Sequence, residues 1–130
     1  MGLTHVAVQV RNLTSKDSFT EDFLVDTGAW NSFAPANKLR RIGIEPVGKK
    51  EFELANGQVE EYEYGVAEME FLDELIATRI IFGPDNTEPL LGVVALETAG
   101  FIVDPQQQTL RKLSVLPLKA VSSAKIVIAS

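Results

Sequence analysis

The chain has 130 residues, 45% of them hydrophobic and 23% charged, with 12 Lys and Arg against 18 Asp and Glu for a net charge of −6. That length and apolar content exclude a disordered segment and a membrane-spanning chain, and describe one globular domain with its own core. Net acidity without a Lys/Arg run removes nucleic acid and membrane from the expected partners, and the lack of cysteine with a lone histidine, His5, excludes a disulfide framework, a thiolate nucleophile and a multi-His metal site.

Residues 1–6 carry no basic n-region or uninterrupted apolar run, so a cytoplasmic location is expected. Residues 3–10 alternate, with Val6, Val8 and Val10 on one face, and predict a strand. Residues 12–17 are rich in turn formers, and Asn12-Leu13-Thr14 reads as a polar turn rather than a glycosylation site. A second strand is predicted over 19–25, ending at Asp26-Thr27-Gly28-Ala29. Residues 35–41 predict a short helix, with Pro in the first turn, cations in the last and Gly43 beyond. Phe52 to Ala55 and Val59 to Tyr62 flank Asn56-Gly57, which predicts a β-hairpin with a type I′ turn and positive φ at both central residues. Strands follow at 66–71 and 75–82 around Leu72-Asp73-Glu74, then a surface loop at Gly83-Pro84-Asp85-Asn86. Leu90-Leu91-Gly92 leads into a short helix over 93–98 with Gly100 after it. Residues 101–103 form a strand, Asp104-Pro105 a turn, and 109–113 the strand that pairs back. Residues 1–116 thus read as one domain and 117–130 as a tail or terminal strand at 126–128.

Two motifs carry chemistry. An apolar strand runs into Asp26-Thr27-Gly28-Ala29, and far downstream Leu90-Leu91-Gly92 precedes a helix. An Asp-Thr-Gly triplet alone occurs by chance in roughly 2 or 3 of a hundred chains of this length. With the apolar strand before it, the Asn-Gly hairpin between and the apolar-apolar-Gly after, the order of elements over residues 6–113 resembles the retropepsin-like aspartic proteases, the family of retroviral proteases and their cellular relatives.

That resemblance implies an all-β fold, a small closed acid-protease-type barrel with one or two short helices, acting as a homodimer. Composition and periodicity by themselves reach only an all-β single domain. The reaction needs two carboxylates too close to ionise together, which share one proton. One Asp-Thr-Gly in a chain too short for two lobes implies a two-fold axis with Asp26 of each copy across it. The implied activity is an aspartic endopeptidase hydrolysing an extended polypeptide, with no metal and no cofactor. A non-catalytic dimeric peptide-binding module of the same fold is the alternative, and a generic β-barrel interaction domain with a coincidental Asp-Thr-Gly turn is a third reading.

The same resemblance implies roles for neighbouring residues. Thr27 bonds across the dimer axis, Gly28 admits backbone close to the carboxylate, and Ala29 lies along the bound peptide. Leu90, Leu91 and Gly92 pack beneath the loop as support. The hairpin at Ala55, Asn56, Gly57 and Gln58 sits where the family has its flap, although without the Asp-Thr-Gly context it reads as an ordinary surface hairpin. Retroviral members often carry an acidic residue after the Asp-Thr-Gly-Ala segment and an Arg after the downstream Gly. Here Trp30 and Val93 stand in those places, so that ion pair is absent, and Trp30 is either an apolar dimer contact or a core residue. Glu60, Glu61 and Glu63 disfavour acidic peptides or keep a solvated face soluble. His5 reads as a strand-surface residue, and Phe33, Ile80, Phe82 and Val94 are the expected apolar pocket residues.

Overall fold

In a computed structural model, which describes residues 4–104, 106–118 and 127–129, the N-terminal alternation becomes β1 (Thr4–Arg11), with Val8 and Val10 fully buried and their neighbours facing out. It pairs antiparallel with β2 (Ser18–Val25), whose Phe23 and Val25 are buried on the same period of two. Asn12 makes the connecting turn. Its Oδ1 accepts from the Thr14 and Ser15 amides and its Nδ2 donates to the Ile42 carbonyl, so the side chain is committed to holding backbone.

Sequence patterning missed β3 (Ser32–Pro35), a four-residue strand without alternation. Pro35, expected in the first helical turn, ends this strand and acts as the residue before α1 (Ala36–Arg41). It offers no capping side chain, and the Asp85 carboxylate reaches across to accept from the Asn37 amide instead. Gly43 adopts φ 80° just beyond the helix.

The hairpin is formed by β4 (Gly48–Glu53) and β5 (Val59–Phe71). β5 is one strand running through Gly65 where the sequence predicts two. Its outer half is exposed or half-buried and pairs with β4, whereas Gly65, Ala67, Met69 and Phe71 alternate into the core. β6 (Glu74–Gly83) pairs antiparallel with β5 and alternates at first. It then buries Ile80, Ile81, Phe82 and Gly83 in succession where β5 and β3 flank it, β3 running parallel to it.

The type I′ conformation expected at Asn56-Gly57 is found at the other turn instead. At 54–58, Gly57 donates to the Leu54 carbonyl and Leu54 to the Gln58 carbonyl, and only Gly57 has positive φ, 86°. The loop therefore has three residues with a glycine bulge, not the two-residue type I′ turn. Both central residues have positive φ at Leu72 (51°) and Asp73 (65°), between the paired Phe71 and Glu74. The long β5–β6 ladder sets that length and imposes the conformation on residues that disfavour it.

β7 (Leu90–Leu91) joins the sheet parallel to β2 and antiparallel to β3. The strand order is β1-β2-β7-β3-β6-β5-β4, and β1 also pairs with β5 through Gln9, Val10 and Arg11. α2 (Val93–Thr98) follows, ending at Gly100 with φ 90°. β8 (Phe101–Asp104) and β9 (Thr109–Lys112) pair antiparallel, and the Asp104 carboxylate accepts from the Gln106 and Gln107 amides in the turn, Pro105 lying outside the described residues. The Leu113 amide donates to the Gly100 carbonyl and Leu116 packs over Gly100. The expected terminal strand at 126–128 lies partly outside the described residues, and Val127 and Ile128 are exposed and outside any strand.

The described residues are thus mostly β with two short helices. Its core joins Val8, Phe23, Leu39, Met69, Ile80 and Leu96, each fully buried large side chain contributing about 1.5–3 kcal/mol. Among the described residues no helix is long and apolar enough to cross a membrane. Replacing Leu72→Asn and Asp73→Gly together relieves the left-handed strain and is expected to stabilise the fold by about 1 kcal/mol in urea unfolding.

Candidate active site

The Asp26 backbone leaves β2 at the point where β2 meets β7, and its amide donates to the Leu91 carbonyl at 3.0 Å. A tight turn follows, with the Ala29 amide donating to the Asp26 carbonyl and the Gly28 amide donating to Asp26 Oδ1 at 2.9 Å. A Cβ on Gly28 would lie 3.3 Å from that carboxylate oxygen, closer than most side-chain contacts, so glycine lets the amide approach without crowding. Asp26, Thr27 and Ala29 are half-buried and Gly28 is exposed.

The second segment locks this loop from below. α2 begins at Gly92, which has no side chain to cap it, and its first amides turn to the loop instead: Val93 donates to the Ala29 carbonyl at 2.8 Å and Val94 to the Trp30 carbonyl at 3.0 Å. The Gly92 amide donates to Ser32 Oγ at 2.9 Å. Ser32 is 2% exposed and was not singled out from the sequence, because a serine in a polar stretch carries no mark of burial. A Cβ on Gly92 would come 2.6 Å from the Asn31 carbonyl oxygen and 2.8 Å from that of Trp30, a backbone collision that explains the glycine. Leu91 is fully buried beneath the loop and Leu90 is half-buried at its edge.

A cleft of about 830 Å³ opens over the loop, with Asp26, Gly28 and Ala29 on one side and Phe52, Leu54 and Ala55 of the hairpin on the other. Asn56, Gly57 and Gln58 lie at the exposed tip beyond its lining. Of the expected apolar pocket residues, Phe33 lines the cleft. Ile80 and Phe82 instead face the core and Val94 is 40% exposed on α2, whereas Ile81 between the first two faces the cleft, as the period of two along β6 requires. Pro84, Thr87 and Tyr62 complete walls that the sequence did not reveal, since they come from a loop and a strand far apart in the chain. Trp30 also lines the cleft and is 75% exposed, which excludes the core reading.

The surrounding charges are mostly structural. His5 bonds Glu88 through Nε2, on the strand surface as expected, and Arg40 reaches Glu63. The Tyr62 hydroxyl donates to Glu60 Oε2 at 2.7 Å. That bond holds the phenol above its ordinary value, with desolvation and the Glu60 charge acting in the same direction. Among the described residues no three His, Asp or Glu side chains gather as metal ligands.

Among solved structures the chain is similar to a retropepsin-like aspartic protease from Rickettsia conorii, with a TM-score of 0.52 and 20% identity over 79% of this chain and 77% of that one. A likeness at that identity establishes a shared fold, that of a retropepsin-like lobe. No protein-family model matches the chain, and no curated protein does either.

Gly92→Ala should destabilise the chain by about 1–3 kcal/mol through backbone collision, and Ser32→Ala by about 1–3 kcal/mol through the unpaired amide, both read by thermal or urea unfolding. A spectrophotometric titration should show a phenol ionising above the usual value of about 10, shifted down by Glu60→Gln. Because the fold favours the neutral phenol, its stabilisation is complete below the unfolded value and is lost as the pH rises through the raised folded value.

Proposed function

We propose that the chain is one lobe of a homodimeric aspartic endopeptidase, in which Asp26 of each copy meets its counterpart across a two-fold axis beneath an extended polypeptide. The observation that carries this reading is the seating of the Asp26 carboxylate: one oxygen takes the Gly28 amide at the floor of the cleft, and the loop around it is tied to the 91–94 segment through backbone hydrogen bonds. The retropepsin-like fold supports the same reading.

In this arrangement two carboxylates share one proton. The ionised member takes a proton from a water as its oxygen attacks the scissile carbonyl carbon, and the protonated member donates to the carbonyl oxygen. Collapse of the tetrahedral intermediate breaks the C–N bond as the nitrogen takes the proton drawn from water, and a hydroxyl of the intermediate returns one to the other carboxylate. The chemistry itself calls for no metal and no organic cofactor. Thr27 bonds across the axis, Gly28 and Ala29 present backbone to carboxylate and substrate, and Leu90, Leu91 and Gly92 hold the loop. The hairpin through Ala55, Asn56, Gly57 and Gln58 closes over the peptide as a flap and offers main-chain hydrogen bonds. Trp30 and Val93 stand where retroviral members often carry an ion pair, so that pair takes no part in holding this dimer.

Asp26→Asn is nearly isosteric but cannot accept a proton as a base. It should lower cleavage of a mixed peptide library by more than about a hundredfold while sedimentation still shows a dimer. Wild-type activity per chain should rise with protein concentration and be greatest at mildly acidic pH. Cleavage retained in Asp26→Asn, or a rate still climbing above neutrality, contradicts the dyad. A wild-type dimer that binds peptides without cleaving them identifies the binding module instead.

A further inference from the structure

Trp30 combines a fixed backbone with an unoccupied side chain. Its carbonyl is held by the Val94 amide and lies against Gly92, so the residue cannot shift without disturbing the start of α2. Its indole is 75% exposed and lines the cleft whose floor is Asp26. An exposed Trp on a rigid loop is a large apolar face with a π cloud and no intramolecular partner burying it.

The charged side chains that line the cleft have one sign. Among the described residues that line the cleft, Asp26 and Glu53 are the charged ones, and both are acidic. Glu60, hydrogen-bonded to the lining Tyr62, adds a third carboxylate beside the hairpin wall. Lys49 and Lys50 stand opposite Glu63 and Tyr62 in the ladder register, so Lys50 shares the hairpin face of Tyr62 and Glu60, but neither lysine lines the cleft. A cation is therefore drawn toward this cleft and an anion repelled. The indole supplies a face on which a guanidinium or ammonium can rest while its outer edge stays in water.

We propose that Trp30 is a specificity-determining residue, receiving on its indole a basic side chain, Arg or Lys, of the polypeptide bound in the cleft. This deepens the endopeptidase reading and rests on it. Asp26 acts on the peptide bond, and Trp30 selects a cation at one position along the same extended chain.

The 130-residue chain contains a single Trp, so its emission reports on this position alone. The Asp26→Asn chain is titrated with apolar decapeptides carrying Arg, Gln, Phe or Glu at each position in turn, and tryptophan emission is recorded. At one position the Arg peptide is expected to shift the emission and to bind about threefold to fivefold more tightly than the Gln peptide, the range of an exposed cation–π contact. The Glu peptide is expected to bind more weakly than either. In the active chain the Arg-to-Gln ratio of kcat/KM should match, with the difference in KM. Trp30→Phe should retain part of that ratio, and Trp30→Ala should bring it to about one.

An unchanged ratio in Trp30→Ala overturns the inference, as does preference for the Phe peptide or an absence of peptide binding. Emission that shifts with protein concentration but not with peptide places the indole against a second copy and overturns it too. The two readings fail separately. Cleavage by Asp26→Asn defeats the endopeptidase reading, whereas wild-type cleavage without a preference for Arg, abolished by Asp26→Asn, defeats only the role of Trp30.

Discussion

The site depends on a mutual satisfaction of backbone groups between two segments far apart in sequence. A helix start leaves amides without partners, and α2 has a glycine there with nothing to cap them. The 26–30 turn leaves carbonyls without partners. Val93 and Val94 donate to Ala29 and Trp30, and Asp26 donates back to Leu91, so each segment solves the other's problem. These bonds form because Gly92 lets the chains approach to a distance that any Cβ would forbid. With its backbone held this way, the Asp26 side chain needs no role in the core and is left to face the cleft.

The hairpin wall follows from how β5 is used. One continuous strand is buried at alternate positions in its second half and paired mostly with β4 in its first, so it carries a projecting arm on a fixed base. The arm has its own small cluster, with Phe52 and Tyr62 ring centroids 6.4 Å apart, rather than a share of the core. Moving such an arm exposes little buried apolar surface, which places it at the low-stability end of the structure where binding segments are drawn from. Opposite it, β6 presents Ile81 to the cleft and Ile80 and Phe82 to the core, joining the cleft wall rigidly to the interior.

In the proposed reading a single chain carries one carboxylate and one wall of the substrate channel. The proposed chemistry therefore depends on assembly, since an isolated carboxylate has no neighbour with which to share a proton. Trp30 and Val93 leave no ion pair between the two segments at the site, and Trp30 remains largely exposed in the single chain. Its exposure is what makes the cleft chemically distinctive, an aromatic face in a lining whose charged side chains, Asp26 and Glu53, are acidic.

Much of the architecture was legible in the residues because it is local. The period of two in 6–10 and 19–25 marks the faces of β1 and β2, Gly100 marks the end of α2, and Asp26-Thr27-Gly28 with Leu90-Leu91-Gly92 marks the two segments of the candidate site. What was not legible is set by neighbours distant in the chain. β3 is a strand because it lies parallel to β6 and touches β7, not because Ser32–Pro35 alternates. The type I′ conformation falls on Leu72-Asp73 rather than Asn56-Gly57 because ladder register decides how many residues a turn has. The same register chose Ile81 over Ile80 and Phe82 for the cleft. Adjacent residues fix the faces of β1 and β2 and the place of the carboxylate loop, since alternation and turn chemistry are local properties. Only the tertiary structure decided that Ser32 is buried against Gly92, that Trp30 stands exposed at the cleft and which face of β6 lines it, because burial is settled by what packs on each face.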